Sequence, residues 1–257
     1  MRAARRRPAP VLVAPPNKEG GFAASSDLAP RSALADAVAR FLDALRLPPE
    51  VRGAADLELT PRRVAEAWLE EIVDGYALDP AEVLAGALPS RGRDLVAVTG
   101  IDFHSVCPHH LLPSRGVAHV AYVPGGRVVG FGQIVRLVDA LAHRLVLQED
   151  LARQIADALV EHVGARGAAC HLEAEQLCMT VRGVRRAGSR AHVEAYAGTL
   201  ARDGAARRRF EALVRTWGRA PRNGGPARPL DRAEGRPPGG AGRRRRAGAP
   251  QGRRSPR

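Results

Sequence analysis

Apolar residues recur at three- and four-residue spacing in Leu34, Val38, Phe41, Leu42 and Leu45, which predicts an amphipathic helix. Thr60-Pro61 reads as a side-chain cap followed by proline at the first helical position. Val64, Ala67, Trp68, Ile72 and Val73 continue on one face until Gly75 ends that helix. Over 95–106 the pattern turns to strand. Over 117–123 (VAHVAYV) it alternates more clearly, and Pro124-Gly125-Gly126 turns the chain into Val128-Val129. Two helices follow. The first spans 133–145 and carries Ile134, Leu137, Val138 and Leu141; the second spans 149–163 and carries Leu151, Ile155, Leu159 and Val163. A strand over 168–181, another over 191–200 and a helix over 205–217 complete the outline. Adjacent strand pairs with short turns predict an antiparallel sheet with helices on one face, an α+β class.

Charge redraws the boundaries of this outline. The 257 residues carry a formal net charge of +13. Residues 219–257 hold twelve Arg against Asp231 and Glu234, and residues 1–26 hold four Arg and Lys18 against Glu19. That leaves 23 Arg against 24 carboxylates in 27–218, a body close to neutral. Both ends are rich in Pro, Arg, Ala and Gly with no hydrophobic period, so 1–30 and 219–257 are expected to be disordered around a domain over 31–218. The tail is either a weak electrostatic arm or a biased, solvated terminus. It has no interleaved aromatics for base stacking, so nucleic acid is not expected as a partner except through this tail. Lys18 is the only lysine, so Arg in place of Lys carries little meaning here. No apolar run approaches the ~18 residues of a membrane span. Three cysteines are too few for a disulfide scaffold, which points to a reducing, cytoplasmic location and to metal or catalytic use.

The densest cluster of ligand-capable side chains is Cys107-Pro108-His109-His110. Cys107 and His110 are close enough to clasp one ion from a turn. Cys178, on a predicted strand, would make a site of two sulfurs and one nitrogen. Three protein ligands leave a fourth position for water, the layout of a catalytic zinc. On residue grounds alone a second reading stands beside it: Cys178 as a small buried hydrophobe and His109-His110 as a surface pair.

The segments 107–116 (CPHHLLPSRG), 118–130 (AHVAYVPGGRVVG), 148–158 (QEDLARQIADA) and 173–184 (EAEQLCMTVRGV) resemble GTP cyclohydrolase I, and 60–68 (TPRRVAEAW) is similar to that family's N-terminal motif. The resemblance runs from about Leu34 to Leu213, with several motifs in the family's order and spacing. It implies the tunnelling fold: a four-stranded antiparallel sheet with two helices between its second and third strands, preceded by N-terminal helices. It also implies a toroidal homodecamer with sites at subunit interfaces, and conversion of GTP to 7,8-dihydroneopterin triphosphate and formate on the way to pterins and folates. Carried over residue by residue, Cys107, His110 and Cys178 fall on the Zn2+ ligands and His109 on a catalytic histidine that moves protons. Glu149 falls on the carboxylate that grips the guanine N1–H and amino group, with Gln148 before it in the same loop. By itself Glu149 also reads as a first-turn carboxylate favoured by the helix dipole. Arg63, Arg136 and Arg182 fall on triphosphate contacts.

The departures matter as much. A catalytic histidine two residues before the last zinc cysteine is Gln176 here, which can hydrogen-bond but cannot shuttle a proton at neutral pH. Loss of such a shuttle costs about 10²–10⁴ in rate. The family's Ser-Lys pair is Gly132-Gln133, a lysine after the Arg63 position is Glu66, and a glutamate after the first zinc cysteine is Pro108. Three readings follow. The first is a zinc-dependent GTP cyclohydrolase I in which Gln176 is tolerated or a nearby group replaces the missing histidine, with His171 and His104 as candidates. The second is a divergent enzyme that only opens the purine ring or takes a less phosphorylated purine. The third is a non-catalytic binding ring.

Overall fold

The computed structural model describes residues 31–202 and 204–217. The basic ends read as disordered, 1–30 and 219–257, lie outside these residues. Helix α1 (Arg31–Ala44) matches the first predicted helix and packs against α4 further along. Two one-turn helices that the apolar pattern was too short to announce, α2 (Pro49–Arg52) and α3 (Ala55–Glu58), lead into α4 (Thr60–Ala67). Thr60 is not the side-chain cap expected of it. Leu59 holds the cap position, and the Thr60 hydroxyl donates to the Asp56 carbonyl at 3.2 Å. Nor does one helix run on to Gly75. After α4 come a π-helical turn at Trp68–Ile72 and a 3₁₀ turn at Asp74–Ala77. The α5 helix (Pro80–Leu84) starts where the Asp79 carboxylate accepts the Ala81 N–H at 2.8 Å, with proline in the first turn.

The short strand β1 (Leu88–Pro89) precedes the two long strands β2 (Val96–Val106) and β3 (Pro113–Val123). Next, β4 (Arg127–Val128) pairs with β1 as a separate two-stranded ribbon, so the predicted Val128 strand does not extend the main sheet. Helices α6 (Phe131–Ala142) and α7 (Gln148–Val163) follow, then β5 (Gly167–Gln176), the one-turn helix α8 (Leu177–Thr180), β6 (Ala191–Gly198) and α9 (Ala205–Trp217). The main sheet has the order β2-β3-β5-β6 and every pair is antiparallel. Two helices thus separate its second and third strands, the layout of the tunnelling fold. Helix α6 ends three residues earlier than its apolar period suggests, at His143, whose ψ of 56° leaves the helical region. Gly164 closes α7 in the left-handed conformation, φ 72°, where a side chain would be strained.

The strand period sorts the core. Ala118, Val120 and Tyr122 of β3 join Ile134, Leu137, Leu151, Ile155 and Leu159 of α6 and α7 in the main cluster. Ala121 and Val123 belong with Ala169, Leu200 and Phe210 instead. The expectation that helices cover one face therefore needs correction, because α9 covers part of the other. Its terminal Trp217 fits a bulge in β2 at Gly100. There φ is +80° and a Cβ would come within 2.6 Å of the indole nitrogen.

Candidate metal centre and substrate site

The hairpin between β2 and β3 ends its ladder at Val106↔Pro113. The loop 107–112 is closed by two backbone bonds, Cys107 N–H to the Leu112 carbonyl at 3.0 Å and Leu111 N–H to the Cys107 carbonyl at 2.9 Å. Leu111 sits at φ 53°, a conformation that costs a non-glycine residue roughly 1–2 kcal/mol. The neighbouring pair β3–β5 ends at Ser114↔Gln176. Beyond it Pro113 has no N–H to offer and the loop turns away, so β5 loses its partner. The chain then curls into α8, and Cys178 lies on that helical turn rather than on the predicted strand. The curl brings Cys178 over the loop. The candidate ligand atoms of Cys107, His110 and Cys178 all lie within 4.8 Å of one another.

Metal–ligand bonds of about 2.0–2.3 Å place donors of one tetrahedral ion roughly 3–4 Å apart, so small side-chain adjustments bring these three onto a common ion. Two soft sulfurs and an imidazole suit zinc. Among the described residues no other three His, Cys, Asp or Glu side chains gather this closely. Partial burial, and after it the neighbouring Cys107, push the Cys178 thiol above its usual range, while Arg182 pulls it the other way. Arg182 itself donates to His110 Nε2 at 2.7 Å. The guanidinium assigned to a triphosphate thus reaches the metal cluster directly. His109 is exposed on the same loop, its ring edge-on to His110 with centroids 6.2 Å apart.

Gln148 begins α7 and is only 6% exposed. Its amide nitrogen donates to the carbonyls of Leu172 (3.2 Å) and Ala191 (3.1 Å), and its oxygen accepts from the Gln176 amide at 2.5 Å. Gln176 is thereby tied to the first turn of α7, where Glu149 stands exposed. Arg63 and Arg136 are exposed and make no ion pair among the described residues. Gln133 and Glu66 have local partners. Gln133 accepts the Gly130 N–H at 2.9 Å and donates to the Val83 carbonyl at 3.0 Å, so it caps α6 and fastens it to α5. Glu66 pairs with Arg62 at 2.8 Å.

The two histidines considered as substitutes for Gln176 are engaged elsewhere. The His104 ring stacks on His143 with centroids 3.9 Å apart, and its Nε2 lies 3.1 Å from the Glu71 carbonyl. His143 Nδ1 meets Asp74 at 2.8 Å, and burial followed by His143 lowers the His104 pKa. His171 holds Glu194 at 3.1 Å on the sheet face that α9 covers. There it meets His119, its direct cross-strand neighbour, at 5.7 Å between rings. The sequence gives no sign of the His119–His171 contact, because the register that creates it spans 52 residues of chain.

The sequence profile of the GTP cyclohydrolase I family matches residues 34–215. The chain belongs to the GTP cyclohydrolase I family. It is 50% identical over 151 residues to the GTP cyclohydrolase 1 of Chromobacterium violaceum, covering 59% of this chain and 73% of that one. It is 48% identical over 156 residues to that of Ralstonia nicotianae, covering 61% and 75%. It is 40% identical over 184 residues to that of Dehalococcoides mccartyi, covering 71% and 95%. For a GTP cyclohydrolase I family member, the feature of note is that both amides at 148 and 176 are committed to each other. No imidazole stands at position 176, and neither His104 nor His171 contacts that position among the described residues.

Proposed function

We propose that the protein is a zinc-dependent GTP cyclohydrolase I that turns GTP into 7,8-dihydroneopterin triphosphate and formate. The observation that carries this reading is the approach of three donors, Cys107, His110 and Cys178, from two segments about 70 residues apart in sequence. These side chains would hold the ion. Zinc bound there supplies Lewis acidity and brings the pKa of a bound water near neutrality. His109, exposed beside them, is placed to hand protons to and from the imidazole-ring nitrogens of the substrate. Glu149 offers two acceptor oxygens to the guanine N1–H and amino group, a pair of donors that adenine lacks. Gln148 and Gln176 hold the turn that carries it. Arg182, Arg136 and Arg63 supply cations for the triphosphate. The last two are exposed and unpaired among the described residues, which supports completion of the site by a neighbouring subunit in a homodecameric ring.

The commitment of Gln176 to Gln148 favours one alternative: water adds at C8 and the ring opens, but the later proton transfers stall. Incubation with GTP and product identification tests both. Formate together with neopterin fluorescence after oxidation supports the full reaction. Formamidopyrimidine alone supports the alternative, and no turnover by zinc-replete protein overturns both.

A further inference from the structure

In the described body many arginines sit beside carboxylates: Arg31 with Glu70, Arg52 with Asp43, Arg115 with Glu175, Arg190 with Glu173, Arg207 with Glu211. One end of the sheet breaks this habit. Where β3 runs into Pro124-Gly125-Gly126 and Arg166 leads into β5, a hollow of about 520 Å³ opens. Arg91, Arg93 and Arg166 line it, with no carboxylate among the lining residues. A second hollow of about 360 Å³ shares Arg93 and Arg166 and adds Arg209 of α9, with Asp94 as its one carboxylate. None of these four guanidiniums makes an ion pair or side-chain hydrogen bond among the described residues. Among the described residues lining the two hollows, four arginines stand against one carboxylate, in a body whose carboxylates and arginines are otherwise nearly equal in number.

The backbone under these side chains is fixed. Ser90 N–H donates to the Gly126 carbonyl at 2.9 Å, Arg166 N–H to the Val123 carbonyl at 2.9 Å, and Thr199 N–H to the Arg166 carbonyl at 2.8 Å. The Gly164 carbonyl packs so closely on Gly125 that a Cβ there would lie 1.9 Å from it. These bonds tie the backbone at 90 and at 166 to the turn at 123–126. Unpaired like charges around a concavity repel one another and raise the local anion concentration. Guanidinium forks match phosphate oxygens two at a time. The lining of the larger hollow holds no aromatic ring, so nothing there stacks on a base.

We propose that this hollow binds small oligophosphates through Arg91, Arg93 and Arg166, reading the phosphate chain and ignoring any base attached to it. The eleven residues of β3 separate it from the metal cluster, roughly 30 Å at about 3.3 Å per residue. Within one chain it is therefore separate from the metal cluster, and its binding of tripolyphosphate is testable without GTP turnover.

The test is arginine-specific dicarbonyl labelling of the full chain, read residue by residue by mass spectrometry. Inorganic tripolyphosphate and GTP should each protect Arg93 and Arg166, and guanosine should not. A triple variant, Arg91→Ser, Arg93→Ser and Arg166→Ser, should lose at least tenfold in tripolyphosphate affinity at one class of sites while unfolding at the parent's temperature. Absence of protection by tripolyphosphate overturns the proposal, as does a folded triple variant with the parent's binding isotherm. Protection by an RNA oligomer but not by tripolyphosphate also overturns it and assigns the face to nucleic acid. If the variant does not fold, labelling of the parent protein decides alone.

Discussion

Cys178 lies just past the end of the β3–β5 ladder, where the chain curls into a helical turn. Proline at 113 ends the β3 ladder, β5 is released, and the sulfur turns toward Cys107 and His110. If those three residues hold zinc, purified protein should contain about one equivalent per chain. Cys107→Ser should bring it close to zero and abolish turnover, as measured by metal analysis and the GTP assay. His119 makes a different kind of residue-scale statement. It is 1% exposed, its Nδ1 has no hydrogen-bond partner among the described residues, and burial followed by neighbouring His171 lowers its pKa to about 4. Glu173 opposes this weakly, and Trp217 lies edge-on at 4.7 Å. The unfolded chain takes up this proton near pH 6.5, where the folded one still refuses it. The stability gained from a neutral His119 is therefore present above pH 6.5 and is lost as pH falls toward 4, at about 1.4 kcal/mol per pH unit. Thermal unfolding between pH 7 and 5 should show this slope, and His119→Leu should flatten it.

Among the elements, the joint between α7, β5 and β6 decides how the site is held. Gln148 spends its amide nitrogen on two backbone carbonyls, so only its oxygen faces Gln176. Gln176→Leu should leave that buried oxygen without a donor and cost about 1–3 kcal/mol in denaturant unfolding. Gln176→His keeps a donor and restores a group that can carry a proton. Its turnover should rise, and a rate equal to or below the parent's would show that another step limits the reaction. Helix α9 contributes Phe210 as its one fully buried residue on the other face of the sheet. Phe210 is buried among Ala121, Val123, Ala169 and Leu200, and Phe210→Ala should cost about 3–5 kcal/mol by the same measurement.

At the scale of the whole molecule, the chain exposes apolar surface that one copy does not cover. Phe41, Leu45, Val51 and Leu59 stand out along the N-terminal helices, and Phe131 is 67% exposed at the start of α6. Such surface marks association. Sedimentation should find an assembly many times the 27.4 kDa chain, ten copies if the ring resembles that of the family. Among the described residues no helix is long and apolar enough to cross a membrane. The sequence by itself determined the order of the long strands and helices, the α+β class, the family, and the identity of the three metal-ligand candidates. Local period and short motifs encode these, and Cys107 and His110 lie within one turn. What only the tertiary structure decided depends on register between distant segments. It put Cys178 on a helical turn, locked Gln148 to Gln176, and set His104 and His171 apart from the gap they were meant to fill. It also placed α9 on the second face of the sheet. The basic character divides in the same way. The charge-rich ends were visible as composition, whereas the arginine hollow is assembled from three loops, at 90–93, 124–126 and 166, whose approach strand pairing creates and no local pattern announces.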